Sequence, residues 1–505
     1  MSVKSLVRST LLLGSSSAAN TLIAIVRVKA LALLVGPAGL GLLGALSGIA
    51  GTATTLFAMG ADTSGTRRLA LDREKPGAVA RLRRALLLLG AIHGAVCMAV
   101  FWLAREPISR WVLGSDDYAF QVGLLGPAVA VSLLAGLQIS LLQGLGRVAD
   151  IARVGIASSA LGTILGLLAV LTWGVAGLIV LILAQPAIAA LMAAASSPPR
   201  SEGDAGIGSD RSRLLADWRD LVGEGSAFML SYLMLALVPL AVRSLVIQSA
   251  GLEAAGHFHA AWTMSVVYVG FLLNAMSADY FPRLTGLIGE RTAACRLVND
   301  QLQVGLAIGG PILLIMLAGA PWLVTLLYSP AFAPAAGIVE WQALGNLMKI
   351  AGWPIAFLAM ARGRSVQFMA LEVAWTSIFL VLVWLLLPHF GIAATGIGFA
   401  IACAAFLVMQ TVAAAITYGF FLNNRSMAML ATFAGAGSAT LAASQHSALL
   451  QAGIGGSLAL VLGVTSLRHI LTETGADGRI GVLGRRAFAR AGWPLPGSPT
   501  KASAA

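Results

Sequence analysis

The chain has 505 residues, of which 58% are hydrophobic and 11% charged, and its mean hydropathy is +0.87. An ordinary soluble domain carries about 25% charged residues, so a soluble globular fold is excluded: the apolar surface has no interior large enough to hide in. The net charge of +12 raises the question of a nucleic-acid partner, and the placement of the basic residues answers it in favour of a membrane.

Taken in order, the chain opens with Lys4 and Arg8 ahead of an apolar run that continues through Arg27 and Lys29 without a convincing cleavage site. It reads as a retained first span and not as a signal peptide. About fourteen spans are predicted, beginning near residues 8, 39, 85, 119, 151, 175, 225, 256, 301, 336, 366, 392, 427 and 447, each long enough to cross a bilayer. The loop after the second span holds Arg67, Arg68, Arg73, Lys75, Arg81, Arg83 and Arg84, and basic residues recur at every second loop thereafter. Only Arg105 and Arg110 fall on the other side, so the positive-inside rule places both termini in the cytoplasm. Residues 197–224, rich in Ser, Gly and charge, form a cytoplasmic linker, and residues 468–505 a basic tail.

Cys97, Cys295 and Cys403 are scattered singly, and neither a phosphate-cradling GxxxxGK[ST] loop nor an HExxH helix is present. The residues therefore point to no catalytic site, no metal site and no cofactor.

An internal repeat is the most informative pattern, with an offset of about 217 residues. Arg27 and Gly36 recur as Arg243 and Gly251, Ala61 and Asp62 as Ala278 and Asp279, Gly146 and Arg147 as Gly363 and Arg364, and Gly174 to Ala176 as Gly391 to Ala393. Six spans separate equivalents, an even number, so the halves run parallel. The expected architecture is an all-α polytopic membrane protein: an N-terminal lobe over 1–196, the linker 197–224, a C-terminal lobe over 225–424, two additional helices over 425–467 and the tail. Each lobe has six helices, and a cavity is expected where the lobes meet.

At 1.5 Å per residue, Arg27 and Arg243 lie about 12 to 14 Å below their outer turns, close to the middle of a hydrocarbon core some 30 Å thick. A guanidinium there costs about 2.5 to 3.5 kcal/mol on insertion scales unless it meets water, a partner or a ligand. Two such residues at matching places suggest an anionic cargo, and Lys349 in the tenth span adds a third positive charge. Gln342, Asn346 and Asn274 are candidate polar contacts to that cargo. Glu372, in the eleventh span, and Asp62 and Asp279, near inner helix ends, are candidates for coupling or gating through H+ or Na+. Pairing of Asp62 with Arg67 and of Asp279 with Arg283 is the plainer reading of the last two.

Three segments carry a resemblance: GPAGLGLLGALSGI from Gly36, GHFHAAWTMSVVYVGFLLNAMSADYFPRLTGL from Gly256, and WQALGNLMKIAGWPIAFLAMARGR from Trp341. They resemble the O-antigen and exopolysaccharide flippases of the multidrug/oligosaccharidyl-lipid/polysaccharide exporter superfamily. The most specific part is Trp341, Gln342, Gly345 and Lys349 followed by Glu372. The resemblance implies a two-lobed fold, alternating access, and transfer of an undecaprenyl-diphosphate-linked oligosaccharide from the cytoplasmic to the periplasmic leaflet of the bacterial inner membrane. Membrane lipid and a polysaccharide polymerase complex are the implied partners. Two alternatives stay open: a multidrug or cation antiporter of the same superfamily, and a membrane-bound polysaccharide-assembly enzyme.

Overall fold

In a bilayer, long apolar runs satisfy their backbone N–H and C=O groups within a helix. The computed structural model, which describes residues 3–72, 76–196, 211–473, 484–485 and 488–490, is accordingly all-helical, with no strand among the described residues. Half of the expected linker and most of the expected tail lie outside the described residues. Two compact units divide the chain, Met1–His259 with Leu327–Ala331 and Ala260–Leu326 with Phe332–Ala505.

The first unit holds α1 (Val3–Ala58), α2 (Ala61–Asp72), α3 (Pro76–Leu103), α4 (Arg105–Leu113), α5 (Ala119–Gly144), α6 (Val148–Trp173), α7 (Leu178–Ser196) and all but the last turn of α8 (Arg211–Trp262). Its helices meet through small residues. Gly94 of α3 faces Ala130 of α5, and Gly162 and Gly166 of α6 face Gln185 and Leu181 of α7. Lipid tails are as apolar as leucine, so close approach of backbones rather than water exclusion drives such pairing. The polar α2 docks on the start of α8, where the Ser64 hydroxyl donates to the Leu221 carbonyl at 2.9 Å and Arg68 meets Asp220 at 3.3 Å. At the far end of the unit Arg110 clasps Asp116 at 2.6 Å, and Arg105 stacks over the Trp102 ring at 4.6 Å. The two arginines that break the charge asymmetry are thus both engaged locally.

The second unit contains α9 (Tyr268–Leu287), α10 (Arg291–Ala318), α11 (Ala320–Leu327, but for its last residue), α12 (Ala335–Ala361), α13 (Ser365–Phe390), α14 (Ala393–Tyr418), α15 (Asn424–Ser444) and α16 (Ala448–Glu473). At its centre is α12, with Ile338, Val339, Ala343, Leu347 and Ala351 fully buried against α10 and α14. Phe433 of α15 and Ala459 of α16 belong to the same core. Polar bonds fasten this last helical pair at both ends. Gln303 Nε2 donates to Ser426 Oγ at 3.0 Å at one end, and Gln451 Nε2 donates to the Leu317 carbonyl at 2.7 Å and to Glu340 at 2.8 Å at the other.

Among the described residues, eleven helical stretches are long and apolar enough to cross a membrane. Those over Ser15–Ala58 and Val148–Ser196 run to 44 and 49 residues, each long enough to cross twice, so stretches and crossings do not correspond one to one. The first is broken at Gly36 (φ 62°, ψ −168°), and α8 is broken at Gly251 (φ 82°, ψ 179°). Both pairs of angles lie in a region open almost solely to glycine. The repeat read from the sequence recurs here as geometry, because Gly146 and Gly363 (φ 71° and 70°) and Gly174 and Gly391 (φ 58° and 53°) also match in pairs.

Candidate functional site

Arg27 lies on α1 before the Gly36 break and is half-buried; its Nη1 donates to Gln185 Oε1 of α7 at 3.0 Å. Arg243 occupies the matching place on α8 and is 6% exposed. Its Nη1 donates to the Gly44 carbonyl at 2.9 Å, and its Nη2 lies 3.0 Å from His259 Nδ1. The Phe258 ring stands 6.0 Å away. Space for the guanidinium comes from two glycines one turn apart, since a Cβ at Gly44 would sit 3.2 Å from Nε and one at Gly48 3.1 Å from Nη1. Neither Arg27 nor Arg243 meets a carboxylate among the described residues.

In the second unit Lys349 of α12 is held by aromatic faces, its Nζ 5.2 Å from the Trp375 ring and 6.0 Å from Phe399. Trp375, Phe379 and Phe399 pack on one another and on Trp262, which makes this the densest aromatic cluster in the unit. Glu372 lies on α13, where its carbonyl accepts from the Thr376 hydroxyl at 2.8 Å one turn on, and it forms no hydrogen-bonded ion pair with Lys349 among the described residues.

Gln342 and Asn346, one turn apart on α12, are completely enclosed. Both address Ser265, which lies in a π turn over Thr263–Val267: the Ser265 hydroxyl donates to Gln342 Oε1, and Asn346 Nδ2 donates to the Ser265 carbonyl at 3.0 Å. Among the described residues, Gln342 Nε2 and Asn346 Oδ1 have no protein partner. The side chain of Asn274 lies outside the described residues. Asp279 is exposed and pairs with Arg283 at 3.0 Å, one turn on, and Asp62 is exposed at the start of α2, where it accepts from the Thr63 N–H at 2.8 Å.

Two residues that the sequence reading did not single out, Gln185 and Glu340, thus take part in buried polar contacts, as does His259. Glu340 had a signal, being the one carboxylate of the tenth span. Gln185 and His259 had none, because their partners are 158 and 16 residues away and come together only in the fold.

A family model described as polysaccharide biosynthesis protein matches residues 6–287, more than half the chain. The chain belongs to this family. The lipid III flippase of Escherichia coli (strain K12) is 24% identical over 370 residues, which cover 72% of this chain and 87% of that protein. The lipid III flippase of Shigella flexneri matches equally. In fold, the chain is similar to the lipid II flippase MurJ in an inward closed conformation, with a TM-score of 0.68, 12% identity, and coverage of 91% of this chain and 100% of that one. An inward-facing multidrug resistance MATE family transporter of the MOP superfamily aligns at a TM-score of 0.59 with 16% identity, over 79% of this chain and 94% of that one.

Proposed function

We propose that this protein is a flippase of the inner membrane that carries an undecaprenyl-diphosphate-linked oligosaccharide, an O-antigen or exopolysaccharide repeat unit, from the cytoplasmic to the periplasmic leaflet. The observation that carries the reading is the pair of repeat-related arginines, Arg27 and Arg243, set deep in apolar helices without a carboxylate partner among the described residues. An uncompensated guanidinium in a bilayer favours an anion, and a diphosphate is the anion whose oxygens a guanidinium engages bidentately. The similarity to two lipid III flippases supports the choice of a lipid-linked cargo. Half-exposed Arg27 makes the direct contact with the diphosphate, and Lys349 and Glu372 form the coupling pair, exchanging H+ or Na+ as the carboxylate gains and loses its lysine. Both termini face the cytoplasm, and the periplasmic product passes to a polysaccharide polymerase complex.

Purified protein in vesicles, loaded with a fluorescent undecaprenyl-diphosphate disaccharide, tests the reading. Transfer of label to the opposite leaflet above that of protein-free vesicles is the expected result. Vesicles that leave the lipid in place while expelling a cationic dye would move the protein to the drug exporters.

A further inference from the structure

Sixteen residues separate Arg243 from His259, about 24 Å along an unbroken helix, yet their side chains are in hydrogen-bonding contact because α8 changes direction at Gly251. A guanidinium has only donors, so His259 Nδ1 is the acceptor and the ring proton sits on Nε2. Gly44 and His259 each stand eight residues beyond their own glycine break, Gly36 and Gly251. Arg243 therefore grips the two matching positions of the repeat at once, the carbonyl of one and the ring of the other. Its counterpart Arg27 grips neither and turns to Gln185. The repeat has kept both arginines but given them different surroundings: one is enclosed in a glycine slot, the other half-exposed with a single hydrogen bond.

We propose that His259 is a positioning residue that, with the Gly44 carbonyl, clamps Arg243 between α1 and α8, so that the two repeat-related arginines do separate work: Arg27 binds the anionic cargo and Arg243 holds the helix contact that each transport cycle must release. This rests on the flippase reading for Arg27 and on geometry alone for the clamp. The glycine at position 44 is part of the device, since any side chain there would displace both the imidazole, at 2.9 Å from the added Cβ, and the guanidinium.

Transport kinetics in vesicles with the fluorescent undecaprenyl-diphosphate disaccharide separate the two jobs. Arg27→Ala is expected to raise KM by about tenfold or more with kcat within about threefold, whereas His259→Phe lowers kcat by about tenfold or more with KM within about twofold. His259→Asn, which places an amide oxygen near the lost Nδ1, should restore kcat to within about threefold of the parent. A KM rise in His259→Phe like that of Arg27→Ala, unchanged kinetics in His259→Phe, or no recovery with Asn overturns the proposal. Should the parent itself move no lipid, the flippase reading falls, and thermal unfolding of Arg243→Met, His259→Phe and the double variant still decides the clamp: non-additive losses keep it and additive losses remove it.

Discussion

Gly41 and Gly256 are each other's counterpart: a Cβ on Gly41 would run into the carbonyl oxygen of Leu252, and one on Gly256 into the carbonyl oxygen of Pro37. Each glycine lies five residues past its break, and each contacted carbonyl one residue past the other break. The segments that follow Gly36 and Gly251 therefore meet as equals, backbone against backbone, and the clamp at Arg243 lies one turn further along the same contact. Two kinds of glycine are at work here, and substitution distinguishes them. Gly251→Ala meets nothing within 4 Å and pays only for its backbone angles, an expected loss of about 1 to 3 kcal/mol seen as a lower melting temperature in detergent. Gly256→Ala has no room at all and should fail to accumulate folded protein.

Orientation follows from the basic residues. Reporter fusions after Arg84, Arg219 and Arg490 should read cytoplasm, and one at Asp116 periplasm. A periplasmic reading at Arg490 would remove one of the last two helices from the set of crossings.

Arg27 is the sharper of the two arginine tests in cells. Arg27→Ala is expected to lower polymer export by about tenfold or more at unchanged protein level, because the deep guanidinium is the cargo contact and the lipid-linked cargo is scarce relative to the raised KM, and Arg27→Lys should keep more of it, since a lysine retains the charge without the fork. Polymer on the cell surface, scored by immunoblot, is the readout. Normal export by the Ala variant would leave the anionic-cargo argument without its residue.

For the Lys349 and Glu372 pair the expected signature is energetic. Glu372→Gln fixes the neutral form, so vesicles carrying it should still bind the lipid-linked oligosaccharide but lose the dependence of transport on an imposed proton gradient. Gradient-driven transport equal to that of the parent would make Glu372 a structural partner of the lysine and nothing more.

Towards the N-terminal end of α12, Gln451→Leu removes the bonds to the Leu317 carbonyl and to Glu340, leaving a buried carboxylate without its amide partner. The expected cost is about 1.5 to 3 kcal/mol, measured by thermal unfolding, and Glu340→Gln in the same background should recover part of it.

The membrane class and the repeat were legible in the residues themselves, because composition and loop charge depend on no contact. Glycines at 36, 146 and 174 recur at 251, 363 and 391 in the same backbone conformations, so spacing alone located the breaks. Side-chain placement was another matter. Nearly uniform apolarity around α12 leaves no amphipathic stripe to say which face is inside, and so the enclosure of Gln342 and Asn346 on Ser265 could not be read from their spacing. Lys349 sits over the Trp375 ring, an aromatic contact that only the crossing of α12 and α13 creates. The Asp279 and Arg283 pair was legible because both partners lie on one helical turn.

The docking of α15 and α16 has a consequence for biosynthesis. Their core is shared with α10 and α12, and Glu340 finds its amide partner only on α16, 111 residues later. A ribosome releases the chain from its N-terminus, and domains fold largely in that order. The first unit can close once Ala331 has emerged, whereas the second waits with an unmatched carboxylate and an open apolar face until its final crossing is inserted. Truncation ahead of α15 is therefore expected to leave the second unit without part of its core and the Glu340 carboxylate without its amide partner, seen as loss of folded protein.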